Sequence, residues 1–428
     1  RRTGLPTRAA FFFWYTSQER CTLIFMMTNT SDPIVFCHGL FGWGADKFGG
    51  FPYFLSVQHL LRKHADRLPP CIFPSTGPIS SIHDQACELF YQLIGGRVNY
   101  GYDHARKFGH SQYGRDYTGK ALYPQWDAEH PLDFVCHSMG APVVRMLQHL
   151  LESGFFSRED TTDYATDHRY VRSITTISGV HNGSTLTWIL GVDPVTGRIN
   201  KESPGLRILV GILERYARLQ AKLPGVSRFY DLMLDQWGIT PGKVEREQMN
   251  RLLEDTAYID SLDNALYDLT PNAMENLNRQ LIEYPDTWYF SYVTCSTIPF
   301  GRKALPVPYW THFFLIPTAF AMGTRVFPEE AMPLRVQRLW RANDGMCNAW
   351  SQDYPKLGRD ASSRAGRRSR RERKAQHWET GLWHVQHRSR KFDHGEVAMF
   401  PHFLRRRTVR RYFMGIFKVI DMIRSRGD

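Results

Sequence analysis

The stretch DFVCHSMGAPVVRMLQHLL, residues 133–151, decides how the rest of the chain is read. Its first part is a continuous apolar run, the pattern of a strand buried on both faces. Its last part, from Ala141, spaces apolar residues as a helix does. Ser138 falls at the apex between them. A strand that turns this sharply into a helix needs small residues two before and two after the apex, or their side chains collide with the flanking backbone. Gly140 meets that demand fully, and Cys136 is small enough to be tolerated. Such a turn holds a serine hydroxyl clear of the backbone, so Ser138 is a candidate nucleophile. The competing reading makes Ser138 only the N-cap of the helix that follows.

Working outward, PIVFCHG (33–39), SITTIS (173–178) and WYFSYVT (288–294) are further continuous apolar runs. Helical patterns lie between them, for example ACELFYQLIGG (86–96). Strands alternating with helices predict an α/β fold with a mostly parallel central sheet and helices on both faces. The stretch from about 186 to 240 interrupts that rhythm. Within it, residues 205–223 place Leu206, Leu209, Val210, Leu213, Tyr216 and Ala217 on one helical face. That face suits either a helix packed permanently or a movable lid over a site.

With 428 residues, 42% of them hydrophobic, the chain can bury a large core. No internal repeat is visible. The longest apolar stretch, FFLIPTAFAMG (313–323), is too short to span a bilayer and is interrupted by Pro317. Residues 1–27 form an unassigned leader. Their basic and apolar start resembles a signal peptide but has no small-residue cleavage site. The seven cysteines form no CxxC pair, which argues against a disulfide framework.

The net charge of +12 is local rather than general. Segment 359–374 carries eight Lys/Arg against two Asp/Glu, in a composition typical of a disordered loop. RRRTVRR (405–411) opens a helix whose apolar residues Phe413, Ile416, Phe417, Ile420 and Ile423 form a core-facing stripe. A solvated loop and a helix rim account for the charge, with contact to a polyanion or anionic lipid as the alternative, and no nucleic-acid partner is expected.

An activated serine needs donors for the oxyanion that forms at the attacked carbonyl. The backbone N–H of Met139, next after Ser138, is one candidate. The glycine-rich HGLFGWG (38–44), just after a strand, offers the N–H of Leu40 as the second. The acid and base should follow Ser138 in that order. Asp286, Asp344 and Asp353 lie in turn-like settings, Asp344 within an N-D-G turn. His377, His384, His387, His394 and His402 lie late; His394 sits in a short polar turn, His384 in apolar LWHVQ.

Several long blocks occur in one order: PIVFCHGLFGWG, GPISSIHDQACELFYQLIGGRVNYG, SMGAPVVRMLQHLLESG, SITTISGVHNGSTL, YDLMLDQWGI and NDGMCN. In this the chain resembles the zinc-containing lipases of thermophilic bacilli and staphylococci, from about residue 30 to 350 and again around FDHGEV. The resemblance implies an α/β-hydrolase fold in which residues 28–425 form one catalytic domain hydrolysing lipid esters at an oil–water or micellar interface. It assigns the nucleophile to Ser138, the acid to Asp344, the base to His394, and oxyanion donation to the backbone of Leu40 and Met139. It implies a structural zinc held by Asp84, His104, His110 and Asp235 in an insertion at about 80–120, a lid in 186–240, and export from the cell. The family's calcium site finds one match, Glu396, but MFPH (399–402) replaces the acidic residue expected next, so the calcium set is incomplete. Two other functions fit parts of this pattern: a soluble short-chain carboxylesterase, and a non-catalytic hydrolase-like binding protein.

Overall fold

A computed structural model describes residues 32–159, 169–222, 229–238, 257–357 and 378–426. Six strands form one sheet: β1 (Ile34–Cys37), β2 (Cys71–Ile72), β3 (Leu132–His137), β4 (Val171–Ile177), β5 (Trp288–Thr294) and β6 (Trp383–Ser389). Their spatial order is β6-β5-β4-β3-β1-β2, and every neighbouring pair is parallel. The four strands expected from apolar runs are all present. The two edge strands carry no such run: β2 has two residues, and β6 reads WHVQHRS.

Successive side chains of a strand point to opposite faces, and here each face meets its own core. Val35, Cys37, Phe134 and Cys136 pack with α2 (Ile82–Ile94) and α3 (Gly140–Glu152). Ile34, Phe36 and Val135 pack with α1 (Leu55–Lys63) and the C-terminal helix, which runs Arg406–Arg424. The stripe expected on that last helix is buried: Phe413, Ile416, Phe417, Ile420 and Ile423, joined by Val409 and Val419. Its leading arginines Arg406, Arg407 and Arg410 lie at the surface or its edge.

Helix α2 is a full core element, so the 80–120 segment is only partly an insertion. What stands apart from the sheet is a hairpin of Arg97–Asn99 and Tyr113–Asp116 enclosing the short helix Tyr102–Phe108. In the 186–240 stretch, α4 (Pro204–Lys222) follows a short helix at Leu186–Leu190. The basic segment 359–374, the leader 1–27 and His377 lie outside the described residues. Among the described residues no helix is long and apolar enough to cross a membrane.

Strands β1 and β3 are paired with Cys37 opposite Cys136, so they end level. The loop after β1 and the turn after β3 therefore emerge side by side at the carboxyl edge of the sheet. That edge is where open parallel sheets carry their sites.

Candidate active site and metal cluster

Ser138 has φ of 55°, a left-handed conformation that a serine adopts only when its surroundings impose it. Helix α3 begins after it, with Met139 as the capping residue, and the Ser138 side chain makes no cap hydrogen bond there. The N-cap reading is therefore not what the structure shows. The turn is tight in the way its sequence demands. A Cβ on Gly140 would lie 2.7 Å from the His38 carbonyl oxygen, and one on Gly39 would lie 2.6 Å from the Ser138 Cβ. Cys136 is fully buried beside Cys37.

The base and acid candidates separate clearly. His394 Nδ1 donates to Asp344 Oδ2 at 2.9 Å, and the His394 backbone N–H donates to the Asp344 carbonyl at 2.9 Å. Asp344 is fully buried. Its carboxylate also accepts from Thr294 Oγ1 (2.7 Å), Gln352 Nε2 (3.0 Å) and the N–H groups of Met346 and Cys347 (3.1 and 2.7 Å). Asp286 is exposed, and Asp353 is engaged by Arg388 at 2.5 Å. His384 lies on β6 against Phe290 and bonds the Glu379 backbone, while His387 is on the same strand. His402 packs near Tyr309 and His312 and donates its backbone N–H to Glu396.

A chain of hydrogen bonds connects this pair to the serine turn. His137, the residue before Ser138, approaches the His394 carbonyl oxygen with Nε2 at 3.1 Å, and the two rings are 4.7 Å apart. A carbonyl only accepts, so His137 Nε2 carries the proton and Nδ1 must accept. Its partner is the Tyr53 hydroxyl at 2.7 Å. The Tyr53 oxygen in turn accepts the Gly39 N–H at 3.2 Å. Burial, then the neighbouring His394, holds His137 well below the usual imidazole range, which keeps it neutral as this chain requires.

The cavity at this corner has a volume of about 270 Å³. Its walls are mostly apolar, including Leu40, Ile79, Val180 and Leu269, and Ser138 lies on its surface. Helix α4 contributes Leu206 and Leu209, whereas Ile208 and Ile212 on its other side are 67% and 56% exposed. The side chains of Val210 and Leu213 lie outside the described residues. Among the described residues the N–H groups of Leu40 and Met139 make no hydrogen bond, which leaves both free for an oxyanion.

The metal candidates come together with one correction. Asp84, His104 and His110 converge with Asp263, not with Asp235. Asp235 instead pairs with the Arg115 guanidinium at 2.5 Å, which consumes its charge. Its neighbour Gln236 reaches the cluster, donating Nε2 to Asp84 Oδ2 at 2.8 Å. Sequence reading thus located the LDQWG stretch beside the cluster but gave its carboxylate the wrong task. Nothing in the spacing around SLDNALYD singles out Asp263.

The four donors fit one cation. His104 Nε2 lies 3.2 Å from Asp84 Oδ1 and 3.4 Å from Asp263 Oδ1. His110 Nε2 lies 3.2 Å from Asp263 Oδ2 and 4.0 Å from Asp84 Oδ1. A tetrahedron with metal–ligand bonds of about 2.0–2.1 Å has edges of roughly 3.3–3.4 Å. Asp84 Oδ1, His104 Nε2, His110 Nε2 and Asp263 Oδ2 are all buried and, though close, lack hydrogen-bond geometry. His110 Nδ1 donates to the Ser111 carbonyl at 2.8 Å, which turns the Nε2 lone pair inward.

A second group, His312, Asp393 and Glu396, does not fit a calcium ion. Calcium takes six to eight oxygen ligands. Here Asp393 Oδ2 already accepts from the His312 ring at 2.7 Å, and Arg405 lies 3.4 Å from Glu396.

Comparison with known proteins bears on this corner. The family model described as "Lipase-like, C-terminal domain" matches residues 30–425. The chain belongs to this family. A lipase of Staphylococcus hyicus is 28% identical over 345 residues, covering 76% of this chain and 48% of that protein. Lipase 2 of Staphylococcus aureus (strain MRSA252) is 30% identical over 348 residues, covering 76% and 45%. The chain thus spans about half the length of these relatives. Among solved structures, EstA from Clostridium botulinum is 27% identical with a TM-score of 0.71, covering 92% of this chain and 88% of that one. Lipase 1 from Pelosinus fermentans is 26% identical with a TM-score of 0.64, covering 91% and 98%. Staphylococcus hyicus lipase, at 24% identity and TM-score 0.72 with 92% and 96% coverage, shares the fold.

Proposed function

We propose that this chain is a lipase of the α/β-hydrolase fold, cleaving carboxylic esters of lipids through an acyl-enzyme on Ser138. The observation that carries this reading is the buried Asp344–His394 pair, tied through His137 to a serine held at positive φ on an apolar cavity. Ser138 Oγ attacks the ester carbonyl as His394 Nε2 takes its proton. The N–H groups of Leu40 and Met139 stabilise the oxyanion, and Asp344 stabilises the imidazolium. As the intermediate collapses, His394 returns the proton to the departing alcohol. Water then repeats the cycle on the acyl-enzyme and releases the acid.

Zinc is the ion proposed for Asp84, His104, His110 and Asp263. Two imidazoles and two carboxylates neutralise its charge and leave no open position, the arrangement of a structural site. Helix α4 is proposed as a lid. Leu206 and Leu209 roof the cavity, and the outward Ile208 and Ile212 give the same helix an apolar face for an oil–water or micellar interface.

A fluorophosphonate probe tests the central step, because only an activated serine reacts with it. Labelling of the wild type at Ser138, absent in Ser138→Ala, is expected; an unlabelled wild type favours the non-catalytic reading. Rates on a long-chain triglyceride taken through its solubility limit separate lipase from short-chain esterase. A sharp rise at the limit is expected, because an interface covers apolar surface that opening exposes, at about 25 cal/mol per Å². Simple saturation through the limit favours the esterase.

A further inference from the structure

Two fully buried carboxylates flank His394: Asp393 immediately before it and Glu396 two residues after. Buried negative charges so close to a proposed base need compensating positive charge. Two groups on neighbouring segments face them. The His312 ring meets Asp393 Oδ2 at 2.7 Å, and the His312 backbone N–H donates to the same oxygen at 2.5 Å. Arg405, whose side chain is 13% exposed, brings Nη2 to 3.4 Å from Glu396 Oε2.

Arg405 does more than pair. Its Nη2 donates to the Tyr309 carbonyl at 2.8 Å, and its Nη1 donates to the Lys391 carbonyl. One planar group therefore hydrogen-bonds two pieces of chain, the segment before His312 and the start of the loop that carries His394, and pairs by charge with Glu396. A guanidinium can do this because it holds several donors in a fixed fork, which an ammonium does not. Inside the loop, Asp393 Oδ1 accepts the Glu396 N–H at 2.9 Å, and Glu396 Oε1 accepts the His402 N–H at 3.0 Å. Burial pushes the Glu396 carboxyl up to about 7, and Arg405 is the strongest influence pulling it back. Among groups that oppose burial at His312, Asp393 leads in raising its ring.

We infer that Arg405 is the resident cation of the His394 loop, so that this chain holds its base without the calcium ion of the lipases it resembles. The arginine comes from the three-residue turn Phe403–Arg405 that leads into the C-terminal helix, and that helix is anchored by its own buried stripe. The cation is thus part of the covalent chain and cannot be lost by dilution. Its role in positioning rests on His394 being the base, whereas its role as the loop's cation does not.

The test uses the whole protein with its metal content intact, first dialysed against calcium-free buffer. Calcium chloride is added to 10 mM while the thermal midpoint and the heat of binding are followed, in the wild type, Arg405→Lys and Arg405→Ala. For the wild type we expect no binding heat and a midpoint shift within about 1 °C. Arg405→Ala should melt about 5 °C lower. Its kcat should fall about tenfold with KM little changed, because a misplaced base slows chemistry without altering the apolar pocket. Arg405→Lys should keep most of the stability and lose part of kcat. Calcium binding that raises the wild-type midpoint overturns the inference, as does an Arg405→Ala protein with wild-type midpoint and kcat. If Arg405→Ala does not fold, the wild-type calcium titration and Arg405→Lys decide. Failure of serine labelling would remove the lipase reading while leaving the midpoint and heat measurements fully interpretable.

Discussion

The corner around Ser138 and the cluster around Asp84 are both buried and both rich in His and Asp, yet they are built on opposite plans. At the first, the acid and the histidine beside the serine find their partners in the chain, and the free N–H groups of Leu40 and Met139 face the cavity corner. The Asp344 carboxylate accepts five hydrogen bonds, and His137 spends both ring nitrogens. At the second, four polar atoms are brought face to face with no hydrogen bond between them. A protein that satisfies its own polar groups has fixed them for chemistry; one that leaves four donors converging has left room for a cation. The crowding of these groups shows in the acid–base balance. Burial and then Asp263 push the Asp84 carboxyl up, while the two carboxylates overcome burial and draw His104 up to about 9.

The largest effect should come from breaking the first plan at its centre. Ser138→Ala should fold normally and lose at least about 1,000-fold in ester hydrolysis, leaving only what binding and the oxyanion donors supply. Steady-state assays on a dissolved ester together with a thermal melt check this. Substantial turnover in a well-folded variant would refute the assignment.

The second plan breaks at Asp263. Metal analysis should find about one zinc per chain in the wild type and in Asp235→Ala, and almost none in Asp263→Ala. The zinc-free variant should melt at a lower temperature, since metal bound only to the folded state stabilises it. Asp235→Ala removes a pairing with Arg115, so any loss of stability there should come with zinc retained. Equal zinc in the two variants would mean that the four converging atoms are not its ligands. A smaller change in the same cluster is Gln236→Leu, which removes the donor to Asp84 Oδ2. Loss of such an orienting partner weakens metal affinity about 10–100-fold. A competition titration with a zinc chelator reads this directly, and unchanged affinity would make Gln236 a bystander.

What could be read from the sequence follows the same division. The sheet centre was legible because strands buried on both faces are continuous apolar runs. The edges were not: β6 opens on Trp383, His384 and Val385 but continues in polar residues, of which His387 and Arg388 face solvent. Ser138 was legible because a tight turn imposes local size rules on Gly140 and Cys136. The cluster's fourth corner was not, because Asp263 reaches Asp84 only through tertiary folding and carries no local signature. Resemblance placed LDQWG near the metal, but only the structure shows Arg115 taking Asp235 and Gln236 facing inward. Tyr53 was missed for a similar reason: its sequence setting, FPYFL, reads simply as core.

Tyr53 offers the finest test of the first plan. Its hydroxyl is the only link between the Gly39 N–H and His137 Nδ1 in the chain described above, so it couples the loop that presents Leu40 to the loop that carries His394. Tyr53→Phe keeps the ring, which packs against Phe54 and Trp43, and deletes only the oxygen. It leaves a buried N–H and a buried imidazole nitrogen unpartnered, at a cost of about 1–3 kcal/mol each in stability. The oxyanion donors and the base should then be less well placed relative to each other, lowering kcat about tenfold, while KM stays near its wild-type value because the apolar cavity is untouched. A variant that merely loosened the core would lose stability without this split. Full kcat in a Tyr53→Phe protein that melts lower would show that the hydrogen-bond chain is architecture alone, and that the two loops are held in register by packing.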